Sequence, residues 1–131
     1  MMTIKDLVKL CHDIAVEKGF WNKIECKNCD VAMGMVDCND HWEKCPVCEG
    51  KGYILERNDG ELIALMHSEL SEALEELRKN PCNMNKVGEE LSDCVIRIFD
   101  YCGGRDIDLQ TILTEKIEKN KKRPFKHGKQ F

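Results

Sequence analysis

The spacing Cys26-Lys-Asn-Cys29, fifteen residues, Cys45-Pro-Val-Cys48 constrains this chain more than any other feature. Two such pairs bring four thiolates to the separation that tetrahedral zinc requires. Nine cysteines occur among 131 residues, an odd count, and the start MMTIKDLVKLCHD lacks the basic, apolar and small-residue zones of a signal peptide. A cytoplasmic protein with reduced thiols and a structural Zn2+ site at Cys26, Cys29, Cys45 and Cys48 is therefore expected. Cys38 and His41 in the intervening loop offer alternative ligands. Cys11, Cys94 and Cys102 fall on apolar helix faces, where cysteine behaves as a small buried hydrophobe.

On either side of residues 22–57 the pattern is helical. Thr3 caps a first helix whose apolar residues Ile4, Leu7, Val8, Cys11, Ile14 and Ala15 recur at helical spacing, and Lys18-Gly19 ends it. A second helix is predicted from an N-cap at Asp59 to about Lys79, stopped by Asn80-Pro81, and a third from about Lys86 to Cys102, stopped by Gly103-Gly104. A fourth follows Asp106 or Asp108 and ends before Pro124. No repeat is present, the length excludes a multidomain enzyme, and no stretch approaches the roughly 18 apolar residues of a membrane helix. The expected fold class is all-α: a four-helix bundle of residues 1–21 and 58–131, with a small zinc-ribbon insert at 22–57.

The net charge of −4 is unevenly spread: −3 over residues 1–60, −6 over 61–114 and +5 over 115–131. The acidic middle suits divalent cations and the basic tail suits phosphates, although a solvated acidic face with a lysine-rich end has the same composition. On the second helix Glu69 lies at the edge of the stripe Leu62, Met66, Ala73 and Leu77, with Glu72 and Glu76 beside it. On the third, Glu90 and Asp93 flank Val87, Leu91, Cys94 and Ile98, on the same side as Arg97 and Asp100. An ionised carboxylate at a core edge is costly unless paired or metal-bound. Two antiparallel helices so marked would converge Glu69, Glu72, Glu90 and Asp93 on one hard cation, Mg2+ or Mn2+. The alternative is four boundary residues satisfied by Arg78, Arg97 and water.

The run Glu69-Leu-Ser-Glu72, seventeen residues, Glu90-Leu-Ser-Asp93 resembles the two-part acidic signature of the all-α nucleoside triphosphate pyrophosphatases, the MazG-like superfamily. The closing segment Lys116-Ile-Glu-Lys-Asn120-Lys-Lys-Arg123-Pro124 is similar to the family's substrate-facing end. Phe125-Lys-His127-Gly128-Lys-Gln-Phe131, with His12 and Lys18-Gly-Phe-Trp21, looks most like the small MazG-like proteins of phages and bacteria. Ser68 stands where many members have a second glutamate. The resemblance covers residues 3–21 and 58–131. It implies a metal-dependent enzyme that cleaves a nucleoside triphosphate between the α- and β-phosphates, releasing the monophosphate and pyrophosphate. Glu69, Glu72, Glu90 and Asp93 would be catalytic and hold Mg2+ or Mn2+; Lys116, Asn120, Arg123, His127, His12 and Trp21 would contact substrate. Cys48-Glu-Gly50-Lys-Gly52 is in turn similar to the zinc-binding repeat of DnaJ-type chaperones, whose glycines aim backbone amides at the sulfurs.

Seven acids against five bases in residues 22–57, and few aromatics overall, argue against nucleic acid as a partner. A rival reading is a zinc-ribbon adaptor for nucleic acid or protein whose helices only oligomerise, and a third is a family member that binds nucleotides without turnover. An adaptor gives no reason for acids beside the core stripe on two successive helices. The apolar arcs of those helices widen through Ile63, Leu70, Leu74, Ile96 and Phe99, so a homodimer or homotetramer is expected. The resemblance further implies a tail that completes a neighbour's site.

Overall fold

Thr3 opens the first helix as expected, its side chain and that of Asp6 each accepting from the other's backbone amide. The computed structural model describes residues 1–38 and 41–124. Helix α1 spans Ile4–Glu17, and strands β1 (Lys23–Glu25), β2 (Met35–Asp37), β3 (Trp42–Lys44) and β4 (Tyr53–Leu55) follow it. The chain then forms α2 (Asp59–Arg78), α3 (Met84–Gly104) and α4 (Leu109–Lys121). The protein is mainly helical, with the four cysteines between α1 and α2.

The strands correct the all-α expectation. β1 pairs antiparallel with β4, with Ile24 opposite Ile54, and β2 pairs antiparallel with β3, with Val36 opposite Glu43. Each strand has only three residues, too few for a period-two pattern to appear in the sequence.

The four expected helices are present but pack unequally. α3 is the central helix, packed against α2 on one side and α1 on the other, while α4 leans on α1 and buries no residue. The Lys5 amide donates to Gln110 across that last contact, at 3.3 Å. The helical core is small: Ala15, Ala73, Val87, Cys94 and Cys102 are buried, whereas Leu77 and Leu91, expected in the core stripes, are about half exposed.

Helix ends place the site. α1 closes with Gly19 at φ +81°, the Gly19 amide on Val16 O and the Phe20 amide on Ala15 O, which turns Phe20 and Trp21 toward α3. α2 starts one residue earlier than expected, capped by Asn58 with Glu61. α3 runs through Gly103-Gly104 instead of stopping there. Its reversal comes at Asp106, φ 53°, with the Ile107 amide on Cys102 O. The two glycines serve close approach: a Cβ on Gly103 would lie 2.5 Å from His12 Cβ, and one on Gly104 would lie 2.1 Å from Trp21 Cη2.

Candidate metal centres and the clefts beside them

Cys26 and Cys29 lie just after β1, and Cys45 and Cys48 just after β3, so two hairpin-like knuckles face each other. Cys26 Sγ is 3.8 Å from Cys45 Sγ and Cys29 Sγ is 3.6 Å from Cys48 Sγ, and all four sulfurs lie within 4.8 Å of one another. Four thiolates at a Zn–S bond of about 2.3 Å sit about 3.8 Å apart at tetrahedral angles. The cluster could therefore bind one zinc ion. Among the described residues, Cys26, Cys45 and Cys48, with Cys29, Val36 and Ile54 against them, are also this module's core.

The glycines of the second knuckle act as the sequence suggested. The Gly52 amide donates to Cys48 Sγ at 3.2 Å. Burial opposes ionisation of the Cys48 thiol, but the Gly52 and Gly50 amides and the neighbouring sulfurs hold its pKa down at about 6. Burial, together with Cys48, raises that of Cys29. Gly34, φ +64°, was not legible as structural: a Cβ there would lie 2.2 Å from the Gly50 carbonyl oxygen, so the two knuckles touch backbone to backbone. Cys38 is exposed, and its backbone exchanges hydrogen bonds with that of His41; neither joins the four sulfurs.

The second cluster joins α2 to α3. Carboxylate oxygens of Glu69, Glu72 and Glu90 lie within 4.8 Å of one another. Glu69 is buried, 6% exposed, and accepts from Arg97 Nε at 2.6 Å. Among the described residues neither Glu72 nor Glu90 has an ion-pair partner. Arg78 is spent on Glu75, and Lys79 pairs with Glu76. Desolvation, followed by repulsion from Glu72, Asp93 and Glu69, raises the pKa of Glu90. Asp93 stands outside the trio, exposed, yet close enough to act on Glu90. Ser68 bonds back to Leu65 O at 2.7 Å and takes no part.

Beside the acids a cleft of about 330 Å³ runs between α1, α2 and α3, lined by Phe20, Arg57, Glu69, Asp93, Arg97 and Asp100 among others. Asp100 is the member of this region that sequence reasoning left as one more flank acid. Its Oδ1 accepts from Trp21 Nε1 at 2.7 Å and lies 2.9 Å from His12 Nδ1, whose ring meets Trp21 edge-on at 4.9 Å. His12 and Trp21 thus share one carboxylate, and that carboxylate borders the acidic cleft. The signal available was position: Asp100 follows Asp93 by seven residues on the same helix face.

Lys116, Asn120 and Arg123 are exposed on and just beyond α4, and since α4 packs on α1 they are not brought to the acids of their own chain. His127 and the rest of 125–131 lie outside the described residues. No described helix is long and apolar enough to cross a membrane. No protein-family model, curated protein or solved structure matches the chain.

Proposed function

We propose that the protein is a metal-dependent nucleoside triphosphate pyrophosphohydrolase of the MazG-like type, with a structural zinc ribbon at residues 22–57. The observation that carries this reading is the convergence of Glu69, Glu72 and Glu90 from two helices with, among the described residues, Arg97 as their one ion-pair partner. Three carboxylates so close repel one another, which adds to desolvation in raising the pKa of Glu90, and oxygen donors of that density suit a hard divalent cation. Glu69, Glu72 and Glu90 would hold Mg2+ or Mn2+, with Asp93 one turn along α3 beside them. Such an ion neutralises polyphosphate charge and lowers the pKa of a bound water.

The chain's own groups do the rest. Arg97 fixes the buried Glu69 through one carboxylate oxygen. Asp100, which borders the acidic cleft, holds His12 and Trp21 as nucleoside contacts on the far side of its carboxylate, with His12 in the tautomer that a carboxylate on Nδ1 selects. Lys116, Asn120 and Arg123 would meet the phosphates of a site on a neighbouring subunit of a homodimer or homotetramer. The exposed Ile63, Leu70, Leu74, Ile96, Ile112 and Ile117 support that assembly. The test is product analysis over a panel of ribo- and deoxyribonucleoside triphosphates with and without Mg2+. Monophosphate and pyrophosphate in equal amounts, only with the cation, are expected; diphosphate and phosphate, or no product, would reject the reading.

A further inference from the structure

A third cleft, of about 800 Å³, separates the cysteine module from the helices and contains none of the clustered acids. Its walls include Lys23, Lys51, Tyr53 and Arg57 from the module side and Trp21 and Arg105 from the helical side. The module is acidic by count, but its charges are segregated. Three of its five bases, Lys23, Lys51 and Arg57, line the cleft, against one of its seven acids, Glu49. Arg105 is spent on Asp59, its Nε 2.7 Å from Oδ1, and Lys51 makes an exposed 3.3 Å contact with Glu49. Among the described residues Lys23 and Arg57 have no carboxylate partner. They rest on rings instead, Lys23 Nζ 4.3 Å from the centre of Tyr53 and Arg57 Cζ 5.3 Å from that of Phe20. Of the rings in the cleft itself, Tyr53 is exposed and Trp21 is half-buried, with Arg105 Cζ 5.3 Å from its ring centre. Two cations without carboxylate partners beside these rings, in a concave space of ligand size, form a surface for a molecule that carries both negative charge and a flat ring.

We propose that this cleft binds an anion of the nucleotide class, with Tyr53 and Trp21 supplying ring surface and Lys23, Lys51 and Arg57 contacting the phosphates. This deepens the function proposed above by making the cysteine module one wall of the nucleotide site. Arg57, which lines both this cleft and the acidic one, joins the two. Binding here does not require the acid cluster, so it can be read separately from hydrolysis.

The experiment measures ATP binding without added divalent cation, when the acid cluster repels triphosphate. A Trp42→Phe background leaves Trp21 as the chain's fluorescent reporter, and calorimetry gives an independent constant. ATP is expected to perturb Trp21 fluorescence, and Tyr53→Leu and Lys51→Glu are each expected to raise Kd about tenfold or more without changing the circular dichroism. Adenosine and inorganic pyrophosphate, each lacking half of the recognised chemistry, should bind more weakly than ATP. An unchanged Kd in both variants, no binding at millimolar ATP, or parity of ATP with adenosine or pyrophosphate would overturn the proposal. So would tight binding of a single-stranded decanucleotide that ATP cannot displace. Binding in the cleft without pyrophosphate release under any condition would leave this inference standing and reject the catalytic reading. Turnover with no ATP binding in the cleft would do the reverse.

Discussion

Gly104→Ala tests the junction that carries Trp21. The added Cβ would stand 2.1, 2.3 and 2.6 Å from three carbons of the indole, where carbon pairs normally rest at about 3.5–4.0 Å, so the ring has to retreat by roughly 1.5 Å. Retreat lengthens the 2.7 Å bond from Trp21 Nε1 to Asp100, a hydrogen bond to a charged group, the kind that contributes about 1.5–3 kcal/mol. Overpacking adds a cost of about 1–3 kcal/mol, and alanine's better helix propensity returns at most about 1 kcal/mol. A net destabilisation of about 3 kcal/mol follows, or roughly 12 °C in Tm for a chain of this size. Gly88→Ala is the control: nothing lies within 4 Å of a Cβ there, so propensity alone acts and Tm should rise by roughly 4 °C. Thermal melts followed by circular dichroism, with tryptophan fluorescence reporting the indole, read both variants. If Gly104→Ala raises Tm as Gly88→Ala does, the close packing of α3 on Trp21 is wrong.

Glu69→Gln should abolish hydrolysis while circular dichroism stays unchanged, since it keeps its shape and removes a charge proposed to hold the cation; Asp93→Asn, beside the trio and not in it, should lower hydrolysis less. Without divalent cation, Glu90 should make stability pH-dependent. Its pKa is raised in the folded state, so the native chain binds more protons than the unfolded one between the usual glutamate value and the raised one, and stability falls as pH rises through that window. Glu90→Gln should raise the Tm of the cation-free protein at neutral pH and flatten that slope in denaturant titrations. Elemental analysis should find about one zinc per chain. Cys45→Ser should remove the metal and expose the 22–57 amides to hydrogen exchange, because Cys26, Cys45 and Cys48 are the buried side chains around which the module's described residues pack. Deleting residues 121–131 should lower activity far more than helix content, and light scattering should give a dimer or tetramer.

Helix positions were legible because capping residues and apolar spacing are local signals. Thr3, Gly19 and Asn80-Pro81 mark ends where the structure has them. The four cysteines were legible because metal geometry demands short pairs at fixed separation. Local signals failed where a residue answers to a distant neighbour. Gly103 and Gly104 read as a helix stop, but His12 and Trp21 pack where their side chains would be, and the chain turns at Asp106 instead. The β pairs went unseen because three-residue strands carry no pattern. Of the four acids placed on one face, Glu69, Glu72 and Glu90 meet, while Asp93 stays at the rim. Asp100 and the basic side of the module were invisible to counting. The first depends on how α1 docks on α3, and the second on which residues fold toward the helices.

The most direct test of the central claim compares pyrophosphate release by the zinc-loaded protein with that of the Glu69→Gln/Glu90→Gln double variant, over a titration of Mg2+. Saturating, Mg2+-dependent release by the unaltered protein and none by a folded double variant is the predicted result. Equal release by both, or release that ignores Mg2+, would contradict the assignment of the chemistry to the carboxylates between α2 and α3.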